Sequence, residues 1–88
     1  MTFKVIHEKG IHARPAMELV LLADKFEASI FIEADGRKVD IKSIMGLMSL
    51  GMYEGQIFTL IVDGPNKDDV LAQLSDLLID NGLAEKYE

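Results

Sequence analysis

His12 and Arg14 stand two residues apart in the run Gly10-Ile11-His12-Ala13-Arg14-Pro15-Ala16-Met17, an imidazole and a guanidinium where a helix is about to begin. A neutral imidazole is a competent nucleophile near neutral pH, and a phosphoryl group on its nitrogen forms a reactive phosphoramidate that is given up readily. Proline is tolerated in the first helical turn because its missing N–H would have had no intrahelical partner, so Pro15 marks the helix start and sets His12 at the N-cap or just before it. The unpaired amides and the positive end of the helix dipole favour an anion there, and Arg14 adds a planar fork of donors that matches phosphoryl oxygens. Gly10 supplies a tight turn ahead of them. One arginine and a few dipoles make a lighter phosphate site than a metal-backed cage.

The elements that must position these residues follow from the pattern. Phe3 and Val5 alternate along a strand from about Thr2 to Glu8 that turns at Lys9-Gly10. Ala16, Leu19, Val20, Ala23 and Phe26 recur at helical spacing, predicting a helix over Pro15–Phe26. Ser29–Ala34 and Lys38–Ile41 are strands joined by Asp35-Gly36, a two-residue hairpin signal. Ser43 caps a short helix over Ile44–Leu50 closed by Gly51, Ile57–Val62 is the fourth strand, and Asn66 caps a last helix through Leu78 that ends near Gly82. The order βαββαβα gives an α+β fold, with helices on one face of a four-stranded, mainly antiparallel sheet.

The 88 residues make one domain, 1–88, with no room for a second. No cysteine is present, so neither a disulfide framework nor a thiolate metal site is available, and a reducing compartment is consistent with this. No His, Asp and Glu cluster with ligand spacing accompanies His12; His7, beside Glu8, reads as a partly exposed strand residue, and no metal or cofactor is expected. The longest apolar run, Leu19–Ala23, is far too short to span a membrane, and no leader pattern opens the chain, which points to the cytoplasm. Nine basic against fifteen acidic residues give a net charge of −6 with no basic cluster, which disfavours nucleic acid and favours protein partners. Gly46 to Gly51 has the glycine spacing of a P-loop, but Met52 and Tyr53 stand where Lys and Ser/Thr would be required.

Gly-Ile-His-Ala-Arg-Pro-Ala resembles the active-site motif of HPr, the histidine-containing phosphocarrier family of the bacterial sugar phosphotransferase system. A second block, Lys42-Ser43-Ile44-Met45-Gly46-Leu47-Met48-Ser49-Leu50-Gly51, is similar to the family's regulatory-serine segment in Gram-positive-type bacteria. The resemblance covers nearly all of the chain and implies an open-faced β-sandwich with strand order 1-4-2-3. It implies that His12 accepts a phosphoryl group from enzyme I, with Arg14 stabilising it, and passes it to enzyme IIA domains for sugar uptake. The chain would then be a stoichiometric carrier, not an enzyme.

By the same resemblance an HPr kinase/phosphorylase would modify Ser43, slowing acceptance at His12 and creating a ligand for a catabolite-control repressor. Serine is in any case a preferred N-cap, and a phosphate there would suit the helix dipole. The implied docking surface comprises Met17, Leu21, Ile44, Leu47 and Met48. Met17 and Leu21 stand where the family has smaller or more polar residues, and Asp24 where lysine is frequent, so this surface is greasier and less basic than usual. The alternative is an HPr-like regulator that acts mainly by binding a transcription factor or metabolic enzyme. Such a protein would have no need of His12. An acylphosphatase-like hydrolase would need a positioned water that the motif does not supply.

Strand phase sends Phe3, Val5, Ile30, Ile32, Val39, Ile41, Phe58, Leu60 and Val62 toward the helices and leaves Ile6, Phe31, Ile57 and Ile61 on the other face. The outer face of such a sheet normally meets water and is polar. A single apolar patch formed by these four residues is therefore expected to carry either a homodimer or a dedicated partner.

Overall fold

The computed structural model describes residues 1–87. Every second residue is buried along β1 (Thr2–Val5), β2 (Ser29–Ala34) and β4 (Ile57–Asp63), while β3 (Arg37–Asp40) has only half-buried Val39 facing the core. Three helices, α1 (Ala13–Asp24), α2 (Ile44–Met48) and α3 (Lys67–Asp80), close over that face. They bury Ala16, Leu19 and Ala23 from α1, Leu47 from α2, and Val70, Leu74 and Leu78 from α3 against Phe3, Ile30, Ile32, Phe58 and Leu60. Phe3 and Phe58 sit opposite each other on β1 and β4, their rings stacked with centroids 5.4 Å apart, a pairing that adds about 0.5–1.5 kcal/mol beyond area burial.

The α+β architecture with an antiparallel sheet agrees with the sequence reading, but the sheet has five strands, not four. After Gly82, held at φ 64°, the chain reverses into β5 (Ala84–Lys86), which pairs antiparallel with β1 in the order β3-β2-β4-β1-β5. Leu83 and Ala84 are buried there. Three residues show too little alternation to announce a strand, and what makes one of them is the open edge of β1.

Boundaries differ for local reasons. β1 ends at Val5 because Ile6 and His7 turn their amides to Leu83 O and His7 O accepts Gly10 N at 2.9 Å, closing a turn. α1 starts two residues before Pro15 and ends two before Phe26. Asn66 is at the cap of α3, yet its left-handed backbone (φ 58°, ψ 35°) makes no side-chain cap bond.

The outer face is less continuous than expected. Phe31 lies opposite Ile61, with the Lys38 ammonium 4.7 Å from its ring centroid. Ile57 lies opposite Lys4, with Ile6 two residues further along. Between these pairs runs the row Glu33, Thr59 and Thr2, its two threonine hydroxyls 3.0 Å apart, so the single patch is divided into two smaller ones.

Candidate functional site

His12 is the N-cap of α1, as the motif predicts, and is exposed, with extended backbone (φ −132°, ψ 169°) and no side-chain cap bond, which leaves the imidazole nitrogens uncommitted to the helix. Its position is fixed from both sides. Ile11 is buried and its N–H donates to Met52 O at 2.8 Å, while Ala16, also buried, begins the stripe that holds α1 to the core. Gly10 makes this seating possible: at φ 72° it passes so close to Met52 O that a Cβ would overlap that oxygen. Between anchor and helix, Ala13 is held at φ 45°, a left-handed conformation that costs a non-glycine residue about 1–3 kcal/mol.

Pro15 occupies the third helical position, not the first, and this changes the count of donors. Ala16 N already reaches His12 O at 3.5 Å and Pro15 has no N–H, so the first-turn amides left for an anion are those of Ala13 and Arg14. The Arg14 side chain is exposed and shares with Ala13 and Met17 the wall of an open apolar groove whose other wall is Ile44 and Met48 of α2. The two sequence blocks singled out above thus meet across one groove.

Ser43 caps α2: its Oγ accepts the Gly46 N–H at 3.0 Å, and its carbonyl accepts Leu47 N at 2.9 Å. Of the five apolar residues expected to form a docking surface, Leu21 is 58% exposed, Met17 43% and Met48 37%, and Ile44 is half-buried. Leu47 is the correction. It is fully buried and fills the core beneath α2, so it presents nothing to a partner. Met45, on the opposite side of the same short helix, is 82% exposed and was not singled out, since five helical residues carry too little periodicity to show which side faces out.

A second polar cluster went unread in the sequence. Asp35 and Arg37 flank Gly36 in the β2–β3 turn and reach the chain that leaves α2. The Arg37 guanidinium donates to Ser49 O at 2.8 Å and to Ser49 Oγ at 2.9 Å, and Ser49 Oγ donates to Gly46 O at 2.6 Å. One oxygen of Asp35, Oδ2, accepts both the Tyr53 hydroxyl at 3.0 Å and Gln56 Nε2 at 2.9 Å. The hydrogen bond to Asp35, followed by burial and by the carboxylate's charge, raises the Tyr53 phenol above its ordinary value of 10.0. His7 is partly exposed as expected but lies beyond the end of β1 and not on a strand; its Nδ1 accepts Lys9 N at 3.1 Å, a turn-forming role. Among the described residues no three His, Cys, Asp or Glu side chains gather as a metal site, and no helix is long and apolar enough to cross a membrane.

A family model described as the PTS HPr component phosphorylation site matches residues 1–80. Among solved structures, a histidine-containing phosphocarrier protein of Mycoplasma is 30% identical, with 98% of each chain covered and a TM-score of 0.92. The phosphocarrier protein HPr of Bacillus anthracis is 39% identical over 88% of this chain and 92% of that one, with a TM-score of 0.81. Crh, the catabolite repression containing protein of Bacillus subtilis, described as a swapped dimer, is 40% identical over 88% of both chains, with a TM-score of 0.73.

Proposed function

This chain belongs to the HPr family of the phosphotransferase system, and from that premise we propose that His12 carries a phosphoryl group from enzyme I to enzyme IIA domains in the service of sugar uptake. The observation that supports this reading best is the setting of His12: an exposed residue at an N-cap, its side chain free of any capping bond, followed at once by two first-turn amides and by Arg14, whose side chain is also exposed. In the forward step an imidazole nitrogen attacks phosphorus, the P–N bond forms as the donor's bond to phosphorus breaks, and Arg14 with the amides of Ala13 and Arg14 takes up charge on the equatorial oxygens. The reverse bonding change delivers the group onward. The light set of donors and the absence of any need for a second nucleophile suit a carrier whose catalytic apparatus lies in its partners. Such a protein works in the cytoplasm.

Met17, Leu21, Ile44 and Met48 form the docking surface in this reading, with Arg14 at its rim; methionines suit a surface that repacks against several partners. Phosphorylation of Ser43 by an HPr kinase/phosphorylase would add charge beside the same groove, slowing acceptance at His12 and offering a ligand to a catabolite-control repressor. The likeness to Crh favours one second reading, a mainly regulatory member of the family. His12 and Arg14 weigh against it, since a regulator acting through Ser43 alone has no use for a nucleophile with an anion clamp.

Incubation with enzyme I and phosphoenolpyruvate should place an acid-labile label on His12 that His12→Ala removes. Label retained in that variant, or found on His7, refutes the assignment. A wild-type chain that accepts no label points to the regulatory reading instead.

A further inference from the structure

The chain from Leu50 to Gln56 forms the seat on which the His12 loop rests, since Met52 O takes the Ile11 N–H, Gly55 N donates to Val5 O, and Val5 N donates to Gln56 O. That seat is not a low-energy conformation by itself. Gly51 and Met52 are both left-handed, at φ 84° and φ 42°, and for a buried methionine such a backbone persists only where its surroundings hold it. What holds it from the far side is the β2–β3 turn. Asp35 Oδ2 accepts from Tyr53, one residue after Met52, and from Gln56 at the end of the segment.

Gln56 shows how completely the clamp fixes its own orientation. The side chain is buried, and Nε2 donates to both Leu50 O at 2.8 Å and Asp35 Oδ2 at 2.9 Å, bridging the first residue of the seat to the turn. Its Oε1 is buried with no partner, a loss of about 1–3 kcal/mol that a flip of the amide would only worsen by setting two acceptors against an oxygen. Asp35 itself is at φ 52°, a conformation that aspartate tolerates better than most residues, which aims its carboxylate across to the seat.

We propose that Asp35, on a turn that contributes nothing to the phosphoryl site itself, is a positioning residue for phosphoryl transfer: through Tyr53 and Gln56 it holds Met52 O where the Ile11 N–H needs it and so sets the approach of His12. The proposal rests on the carrier function assigned above. It names Asp35 as acting through the seat, with no contact to the phosphoryl group.

The test pairs Asp35→Gly, which keeps the left-handed turn and removes the acceptor, with Asp35→Asn, which keeps an acceptor oxygen. Amide exchange read residue by residue should show Ile11 exchanging about tenfold faster in Asp35→Gly, the loss of roughly one hydrogen bond of local protection, while Ile30 and Val62 in the β2–β4 ladder stay as in wild type. The maximal rate of labelling by enzyme I should fall about three- to tenfold with KM for the chain unchanged, because the groove residues are untouched and only alignment is lost. Asp35→Asn should recover most of both effects. Unchanged Ile11 exchange with an intact ladder overturns the proposal, and so does faster Ile11 exchange with an unchanged labelling rate. A wild-type chain that takes no label, with Ile11 exchange still dependent on Asp35, would instead overturn the carrier function on which the proposal rests.

Discussion

Gly10→Ala separates conformational strain from contact at the edge of the His12 site. Gly10 and Gly82 are both left-handed, at φ 72° and φ 64°, but a Cβ at Gly82 meets nothing within 4 Å. At Gly82 the substitution brings about 1–2 kcal/mol of left-handed strain, offset by about 0.4–1 kcal/mol from a less flexible unfolded chain, a net loss near 1 kcal/mol. At Gly10 the new Cβ would overlap Met52 O and press on Met52 C at 3.2 Å and Tyr53 Cα at 3.3 Å, all backbone atoms with no rotamer to escape into. The loop must lift, which breaks the 2.8 Å bond from Ile11 N to Met52 O and strands two buried groups. That adds about 1–3 kcal/mol, for a total near 2–4 kcal/mol. A domain of this size has roughly 4–13 kcal/mol in all, and each kcal/mol moves its melting point by about 4–8 °C, so Tm should fall by about 8–32 °C. Urea and thermal unfolding of both variants, followed by circular dichroism, measure this, and the labelling rate of His12 should fall further in Gly10→Ala than in Gly82→Ala. A Gly10→Ala variant no less stable than Gly82→Ala would refute the contact argument.

Ser43→Ala removes the 3.0 Å cap on Gly46 N and should cost about 1 kcal/mol in urea unfolding, whereas Ser43→Asp keeps a capping oxygen and most of the stability. Only Ser43→Asp should slow labelling by enzyme I; equal rates for the two would count against charge as the cause. The Tyr53 phenol, raised by its bond to Asp35, contributes stability that is whole below its unfolded value near pH 10 and is lost as pH rises through the higher folded value. Asp35→Gly, which removes both the acceptor and the charge, should bring the Tyr53 phenolate transition, read by ultraviolet absorbance against Tyr53→Phe, back toward about 10, whereas Asp35→Asn should leave most of the shift. If the two apolar pairs of the outer sheet face carry a homodimer, Phe31→Lys should convert it to a monomer in sedimentation, and a monomeric wild type at high micromolar concentration leaves no case for one.

The turn at Gly10 and the N-cap at His12 were legible because each answers a local demand, and the residues that meet those demands are adjacent in the chain. Ser43 was legible for the same reason, since capping is a three-residue event confirmed by the bond to Gly46 N. What the residues could not announce were pairings between segments far apart. Asp35 and Gln56 meet across 21 positions, and β5 exists because β1 offered an edge some 80 residues earlier in the chain. Leu47 was misjudged because a helix of five residues has too little periodicity to tell its buried face from its exposed one. Pro15 entered at the third helical position because Ala13, left-handed, starts the helix earlier than a proline rule allows.

The sheet order also dictates when the site comes into being. β2 and β3 pair across a two-residue turn and can form as soon as both have been synthesised, but β1 takes its partners from Ile57 onward and from Ala84 onward. The loop that carries His12 gains its floor from Met52 and its approach from Leu83, whose carbonyl accepts the amides of Ile6 and His7. His12 therefore acquires its setting only through the most distant loop closures of the fold, which cost the most chain entropy. A chain truncated before Leu83 would display the motif in full but lose the bonds that Ile6 and His7 make to that carbonyl, so in the proposed role phosphoryl acceptance depends on a segment far along the chain from the residue that performs it.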